Sequence, residues 1–390
     1  MKITKFKILH FINSNSNWRE ILSSAPYNLM FRDDGKYTLI KYNQIFSDFQ
    51  QKMVREARGF IIKKVGRKYK FVCVPFTKFF CVGDPNAKKD IQRLYKRKEW
   101  HITEKIDGSL IKLWWDDGVW RLSTSGTLDA YDAPLQFPIE NINTYGDLFE
   151  YASRNKIDYR KLDKGYTYMF ELVGLENKVI VPYETEDVYY LGRRNNYTLQ
   201  ETPYEDDKCV GLEGCKRPKH EVVYIKSAPK KILKEIINRT NALSRDNEHF
   251  EGFVVSDRGL KTRVKIKSLE YLDLFAKKGN GIFNARKILL MILHNQDDDV
   301  VSAFPEYKTQ FDIIRRKLSI WITKVKKDLE YMLDNTWETK KEFAEWAKQS
   351  SCSTIMFAAY GKDPWAEGWL ENKVNSIHID TLLGYIEEER

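Results

Sequence analysis

No apolar run in the 390-residue chain approaches the roughly eighteen residues a helix needs to span a bilayer, so a membrane-spanning helix is excluded. Behind the basic N-terminus, Ile8-Leu9-His10-Phe11-Ile12 is too short for the core of a signal peptide. The five cysteines, Cys73, Cys81, Cys209, Cys215 and Cys352, contain no Cys-x-x-Cys pair, and their odd number argues for reduced thiols in a cytoplasm. Cys209, Cys215 and His220 lie close in sequence, but their spacing fits no usual zinc pattern and a fourth ligand is lacking, so plain loop cysteines are expected. Internal repeats and low-complexity tails are also missing.

What is present is ample core material: 42% hydrophobic residues and 14% aromatics, including 22 Tyr and 21 Phe. The length exceeds that of a usual single core, so two domains are expected, residues 1–270 and 281–390, with the break at Lys277-Lys278-Gly279-Asn280-Gly281. Lys and Arg number 65 against 55 Asp and Glu, and the formal net charge of +10 favours a polyanionic partner such as nucleic acid. The basic stretch from Lys88 to Lys98 has helical spacing and reads first as a solvated helix face, with contact to a phosphate backbone as the functional alternative. Beyond Ser268, Ile314, Leu318, Trp321, Val325, Leu329 and Met332 recur every three to four residues, so the C-terminal third is expected to be helical.

The chain is organised around His101 to Leu110, and above all Lys105-Ile106-Asp107-Gly108. Alternation across Ile102 to Ile106 predicts a strand, Asp107-Gly108-Ser109 a hairpin turn, and Leu110 to Trp115 a partner strand closed by Asp116-Asp117-Gly118. A lysine held on a strand acts as a covalent nucleophile where its amine is deprotonated by burial or neighbouring positive charge. Further strands are expected at Tyr166 to Val173, Val179 to Val181, Val188 to Leu191, Glu251 to Val255 and Arg263 to Lys267, with helices at 145–160 and 229–242. Arg58, Lys78, Lys105, Glu171, Glu251, Lys265 and Lys267 then stand at strand ends.

The order and flanks of these charged residues resemble the covalent nucleotidyltransferase superfamily of ATP-dependent ligases and RNA-capping enzymes, most closely the RNA ligase 1 family of tailed phages. The resemblance covers residues 50 to 275 in separate blocks. It implies an α+β fold in which an antiparallel-sheet nucleotidyltransferase (adenylation) domain precedes an all-α C-terminal domain. It also implies that Lys105 takes AMP from ATP as a phosphoramide, that Arg58 contacts the nucleotide or the end to be joined, and that Lys78 of Lys78-Phe79-Phe80 meets the triphosphate. Glu171, followed by Asn177-Lys178-Val179-Ile180-Val181, is implied to bind the ribose hydroxyls or a metal-bound water, and Glu251-Gly252 to place a carboxylate near metal and nucleotide. Lys265 and Lys267 are implied on the α-phosphate, where their charge also favours a neutral Lys105 amine. Glu104, Asp107, Gly108, Phe80 and Gly252 complete the expected nucleotide site, and Glu171 and Glu251 the site for Mg²⁺ or Mn²⁺. Leu191-Gly192-Arg193-Arg194 is a weaker match in which the aligned arginine is open.

One departure concerns Thr124-Ser125-Gly126, where the family carries a basic residue just before the glycine; Arg121, on the same face at an even offset, is the substitute offered by the sequence. The resemblance implies a cytoplasmic monomer, in the host cytoplasm if viral, that joins RNA 5′-phosphate and 3′-hydroxyl ends, with a nicked tRNA as a natural substrate. Arg315, Arg316, Lys317, Lys324, Lys326 and Lys327 are read as a solvated helix face, or as a surface for a structured RNA. A DNA ligase, an RNA guanylyltransferase and a non-catalytic RNA-binding protein with a decayed pocket stand as alternatives.

Overall fold

The structure, a computed structural model, describes residues 6–44, 46–139, 141–175, 177, 181, 183–246, 250–272, 285–293, 297–303, 307–365 and 369–387. The expected strand at 179–181 and the expected break at 277–281 lie outside these residues except for Val181. The chain forms two compact units, Met1–Asn43 with Ser47–Phe275, and Gln44–Phe46 with Ala276–Arg390.

The first unit is built on three main antiparallel sheets. In chain order its strands are β1 (Leu29–Asp33), β2 (Tyr37–Tyr42), β3 (Arg58–Val65), β4 (Lys68–Cys73), β5 (Phe80–Cys81), β6 (Glu99–Glu104), β7 (Ser109–Asp116), β8 (Val119–Thr124), β9 (Pro134–Ile139), β10 (Ile142–Thr144), β11 (Tyr166–Val173), β12 (Asp187–Asn195), β13 (His220–Tyr224), β14 (Gly252–Ser256) and β15 (Arg263–Lys267). β1 to β4 form one sheet in sequence order; β12-β11-β7-β8 form a second; β13-β6-β14-β15-β5 form a third, with only β5 parallel to its neighbour.

Period-two burial decides how these sheets layer. In the third sheet Trp100, Ile102, Val255, Val264 and Ile266 bury against Leu94, Leu233 and Ile236 of the helices Lys88–Leu94 and Pro229–Asp246. In the second, Ile111, Leu113, Phe170, Leu172 and Tyr190 pack on Leu148, Phe149 and Ala152 of the helix Tyr145–Ser153, which opens on a Thr144/Asp147 capping box. The alternate face of β7 carries Trp114 onto Tyr37, Leu39 and Ile61 of the first sheet.

The expected Lys105 hairpin does not form. β6 and β7 belong to different sheets, and Lys105 to Gly108 is the link by which the chain crosses between them. Asp-Gly is a hairpin signal only where the flanking strands pair with each other. Here β6 takes β13 and β14 as partners and β7 takes β11 and β8. The Asp116-Asp117-Gly118 turn does close the β7–β8 hairpin, with Asp117 and Gly118 at positive φ.

Among the described residues the second unit is helical. Its longest helix, Lys308–Asp334, buries Ile314, Leu318, Trp321, Val325, Leu329 and Met332, the stripe read from the sequence, against the helices Ala285–Leu293, Ser353–Ala359 and Ile379–Glu387. Arg315 of the basic run is tied to Asp297 and Asp312 rather than simply solvated. No described helix is long and apolar enough to cross a membrane.

Candidate active site

Lys105 stands one residue past β6, where its backbone N–H donates to Gly252 O at 2.9 Å. Its Nζ meets Glu251 Oε2 at 2.6 Å, and Lys267 Nζ meets Glu251 Oε1 at 2.9 Å, so one carboxylate bridges two ammonium groups. The Glu251 side chain is 1% exposed. Burial pushes its carboxyl up, but the charges and hydrogen bonds of Lys105 and Lys267 outweigh that and hold it below its ordinary value. Gly252, at φ +150°, is required here: a Cβ would stand 1.9 Å from Ile266 O.

Glu171 reaches the same place from β11. Burial pushes its carboxyl up to about 7, against the attraction of Lys105 and Arg58, while Glu251 and Asp107 push the same way as burial. Two carboxylates beside one lysine thus sit in opposite electrostatic states. A side chain at Gly108 would bring Cβ to 2.3 Å from Leu172 O and 3.1 Å from Glu171 Cγ, so the glycine lets the crossing link lie directly on β11. Asp107 is 4% exposed and its oxygens accept from Val181 N–H and from the Tyr271 hydroxyl, both at 2.8 Å. It therefore fixes the crossing link. Glu104, the last residue of β6, is anchored through its N–H to Lys219 O.

A second group of cations forms the wall beside these residues. Lys78 Nζ lies 5.1 Å from the Tyr42 ring centroid and 5.2 Å from that of Phe49, while Arg58 lies over Phe79 at 5.3 Å. Burial favours a neutral Tyr42, yet Lys78, Arg58, Lys265 and Lys41 together hold its phenol below the ordinary value, which reports how closely four positive charges converge. Phe80, expected at the nucleotide, is 1% exposed and sealed in the helix-facing core with Val264 and Ile266. Its neighbour Phe79, one residue before β5, keeps partial exposure.

Neither open arginine joins Lys105. Arg194 is buried against Glu201, which Arg263 shares, and Arg193 pairs with Asp207 at 3.4 Å. Ser125 lies one residue past the end of β8, so the even offset gives Arg121 no shared strand face, and at about 3.3 Å per residue Arg121 is roughly 13 Å away along the chain. It lies over Tyr37 at 5.1 Å, in a separate hollow with Asp33 and Asp129, so it does not replace the missing base. The cation found near Ser125-Gly126 is Lys41, 3.6 Å from where a Gly126 Cβ would stand and directly across from Arg58 on β2, beside a bulge that re-aims it.

Sequence reasoning missed four residues at this site. Lys41, Tyr42 and Tyr271 converge only in three dimensions, although Tyr271 is one helical turn beyond Lys267, whose Nζ lies 4.7 Å from its ring. Lys112 carried a signal: a lysine inside the apolar run Leu110 to Trp115, on the face of β7 shared with Trp114. It is fully buried, donates to Gly59 O, and is lowered to about 8 by burial. Gly59, at φ +75°, has Ser125 O 2.5 Å from its Cβ position, so Lys112 anchors the backbone that carries Arg58. The loop cysteines take no metal-clip arrangement: Cys215 is buried and Cys209 packs in the same core, while His220 stacks on Tyr204 and meets His101 at 3.0 Å.

A strand-end lysine is thus bridged through a buried glutamate to a second lysine where the chain crosses between antiparallel sheets. A family profile described as RNA ligase matches residues 56–272. The chain belongs to this family, the RNA ligase 1 family that its motifs resemble. It is 24% identical over 384 residues to an RNA ligase of Rhodothermus phage RM378, covering 87% of this chain and 85% of that protein. It is 28% identical over 284 residues to a candidate bifunctional polynucleotide kinase/RNA ligase of Autographa californica nuclear polyhedrosis virus, covering 70% of this chain. The match spans only 38% of that viral protein's length. Among solved structures, an archaeal ATP-dependent RNA ligase is similar with TM-score 0.47 and 13% identity, over 73% of this chain and 66% of that one.

Proposed function

We propose that this protein is an ATP-dependent RNA ligase that joins a 5′-phosphate to a 3′-hydroxyl through lysyl-AMP and RNA-adenylate. The observation that carries the reading is the buried Glu251 carboxylate bridging Lys105 and Lys267. Lys105 Nζ, once its proton has left, attacks the α-phosphorus of ATP; a P–N bond forms, and the P–O bond to pyrophosphate breaks. A 5′-phosphate oxygen of RNA then takes the adenylyl group and frees the lysine. The 3′-hydroxyl attacks the RNA 5′-phosphorus, loses its proton and releases AMP. Lys267 and Lys265 are assigned to the α-phosphate and Lys78 and Arg58 to the other phosphates, fixed cations where negative charge develops.

A divalent cation, Mg²⁺ or Mn²⁺, fits beside Glu171, a buried carboxylate whose raised pKa a counter-charge would relieve. Both Glu251 oxygens are held by lysines, so Glu251 would meet the cation through water. When bound, the metal neutralises charge on the phosphates and orients pyrophosphate for departure. The described residues that follow β15 are helical rather than a β-rich module, which favours RNA ends over the DNA-ligase and capping alternatives. We assign a nicked tRNA as the natural substrate class, a monomeric state and a cytoplasmic setting. The test is conversion of a 5′-phosphorylated RNA oligonucleotide, with ATP and Mg²⁺ or Mn²⁺, into phosphatase-resistant ligated product, with RNA-adenylate accumulating when the 3′-hydroxyl is blocked. Failure to form either species with protein free of pre-bound AMP overturns the reading.

A further inference from the structure

Beside the nucleotide site, and outside the residues just assigned to the chemistry except for Lys78, the first unit contains a cavity of about 710 Å³. Eight basic side chains line it against three carboxylates, Glu56, Asp90 and Glu201, which leaves an excess of five positive charges. Two of the three carboxylates are each shared by two arginines, and among the described residues Glu56 pairs with Lys52 alone. Asp90 serves both Arg93 at 2.9 Å and Arg55 at 3.6 Å, and Glu201 serves both Arg194 and Arg263. Paired in this way, the arginines are held in place while the positive excess remains.

The geometry suits a strand rather than a compact ion. Lys89 and Arg93, one turn apart on the helix Lys88–Leu94, stand on the same face of that helix and both line the cavity. Lys261 enters from the turn after β14, where Asp257 Oδ1 accepts from Lys261 and Thr262 N–H. Phe79, which also lines the cavity, supplies an aromatic face, with Arg58 5.3 Å and Arg263 6.0 Å from its ring centroid. Spaced cations alternating with an aromatic face are what a single-stranded polynucleotide needs: charge for its phosphates and a platform for a base. Lys78 belongs to both the cavity and the cation wall, so a chain seated here leads to the reacting phosphates.

We propose that this cavity seats the phosphodiester backbone of the RNA strand being joined, with Lys89, Arg93 and Lys261 as its outer phosphate contacts. The proposal rests on the ligase reading for the identity of the polyanion. It gives the basic Lys88–Lys98 segment the phosphate-contacting role rather than that of a merely solvated face.

The test replaces Lys89→Gln, Arg93→Gln and Lys261→Gln together in the full chain. All three are exposed, so the fold should hold, and an unchanged melting temperature checks it. Binding of a fluorescent 5′-phosphorylated single-stranded RNA is measured across salt concentrations, and Lys105 adenylylation is followed separately as a function of ATP. The expected result is at least tenfold weaker RNA binding near 0.1 M salt and a salt slope smaller by about two, from roughly 0.7 per lost phosphate contact, with adenylylation unchanged. Unchanged RNA affinity and slope would overturn the proposal. So would a raised KM for ATP with RNA binding intact, which would make the cavity a triphosphate or pyrophosphate channel. A wild-type protein that binds RNA with this slope but forms no lysyl-AMP would instead sink the ligase reading and leave the groove standing.

Discussion

Lys112→Met separates what a buried charge does for stability from what it does for the site. Bringing a lysine from its ordinary 10.5 to about 8 costs the folded protein about 3 kcal/mol at neutral pH, at 1.36 kcal/mol per unit. Methionine fills nearly the same volume and removes that cost, but it leaves the Gly59 carbonyl without the Lys112 hydrogen bond, worth about 1–3 kcal/mol. At pH 7 the two effects nearly cancel. Between pH 8 and 10.5 the unfolded wild type binds more protons than the folded one, so its stability rises with pH in that window while the variant's gains nothing from this position. Urea unfolding of both proteins at pH 7 and pH 10 should therefore show wild type gaining about 2–3 kcal/mol on Lys112→Met. At pH 7, where stabilities are close, the variant should still adenylylate more slowly, because Gly59 and with it Arg58 have lost their anchor. Stability curves that run parallel from pH 7 to 10 would refute the assignment of Lys112 as a buried, charged anchor.

Three further outcomes follow from the same geometry. Glu251→Gln strips the shared counter-charge from Lys105 and from Lys267, whose side chain is only 9% exposed; unfolding should cost about 3 kcal/mol less, and lysyl-AMP formation should fall at least a hundredfold. Wild-type levels of label would rule out the bridging role. Because burial holds Glu171 near 7, its negative charge appears only as pH rises through about 7; the adenylylation rate should climb through that range, the limb should move to lower pH as Mg²⁺ is raised, and Glu171→Gln should abolish it. A pH profile identical in the variant would contradict this. Gly252→Ala forces a Cβ against the Ile266 carbonyl and should give protein that is insoluble or melts several degrees lower, whereas Gly384→Ala, which has open space around it and no positive φ, should keep its activity.

The layered sheets were legible where local rules act alone. Alternation located β11, β14 and β15, and heptad-like spacing located the helix Lys308–Asp334 with its buried stripe. Tertiary pairing was not legible: nothing in Lys105 to Ser109 reveals that its flanking strands choose partners in separate sheets, which is why the link read as a hairpin. The charged positions of the site were visible as an ordered set at strand ends, but their contacts were not. That Glu251 would take both lysines, or that Phe80 would enter the core while Phe79 kept partial exposure, depends on strand pairings, β14 with β15 and β5 with β15, that no local pattern announces. Lys41 was invisible because a bulge in the β2–β3 pairing, not a sequence motif, sets it opposite Arg58.

The lysyl-AMP bond proposed at Lys105 is covalent, so it should survive denaturation of the protein. Wild type and Lys105→Ala are incubated with α-labelled ATP and a divalent cation, with GTP in parallel, and separated under denaturing conditions. The expected label survives denaturation of the wild type, depends on ATP, maps to Lys105 and is absent from the variant. Label on the Lys105→Ala protein, or none on wild type shown to be free of pre-bound AMP, would contradict it.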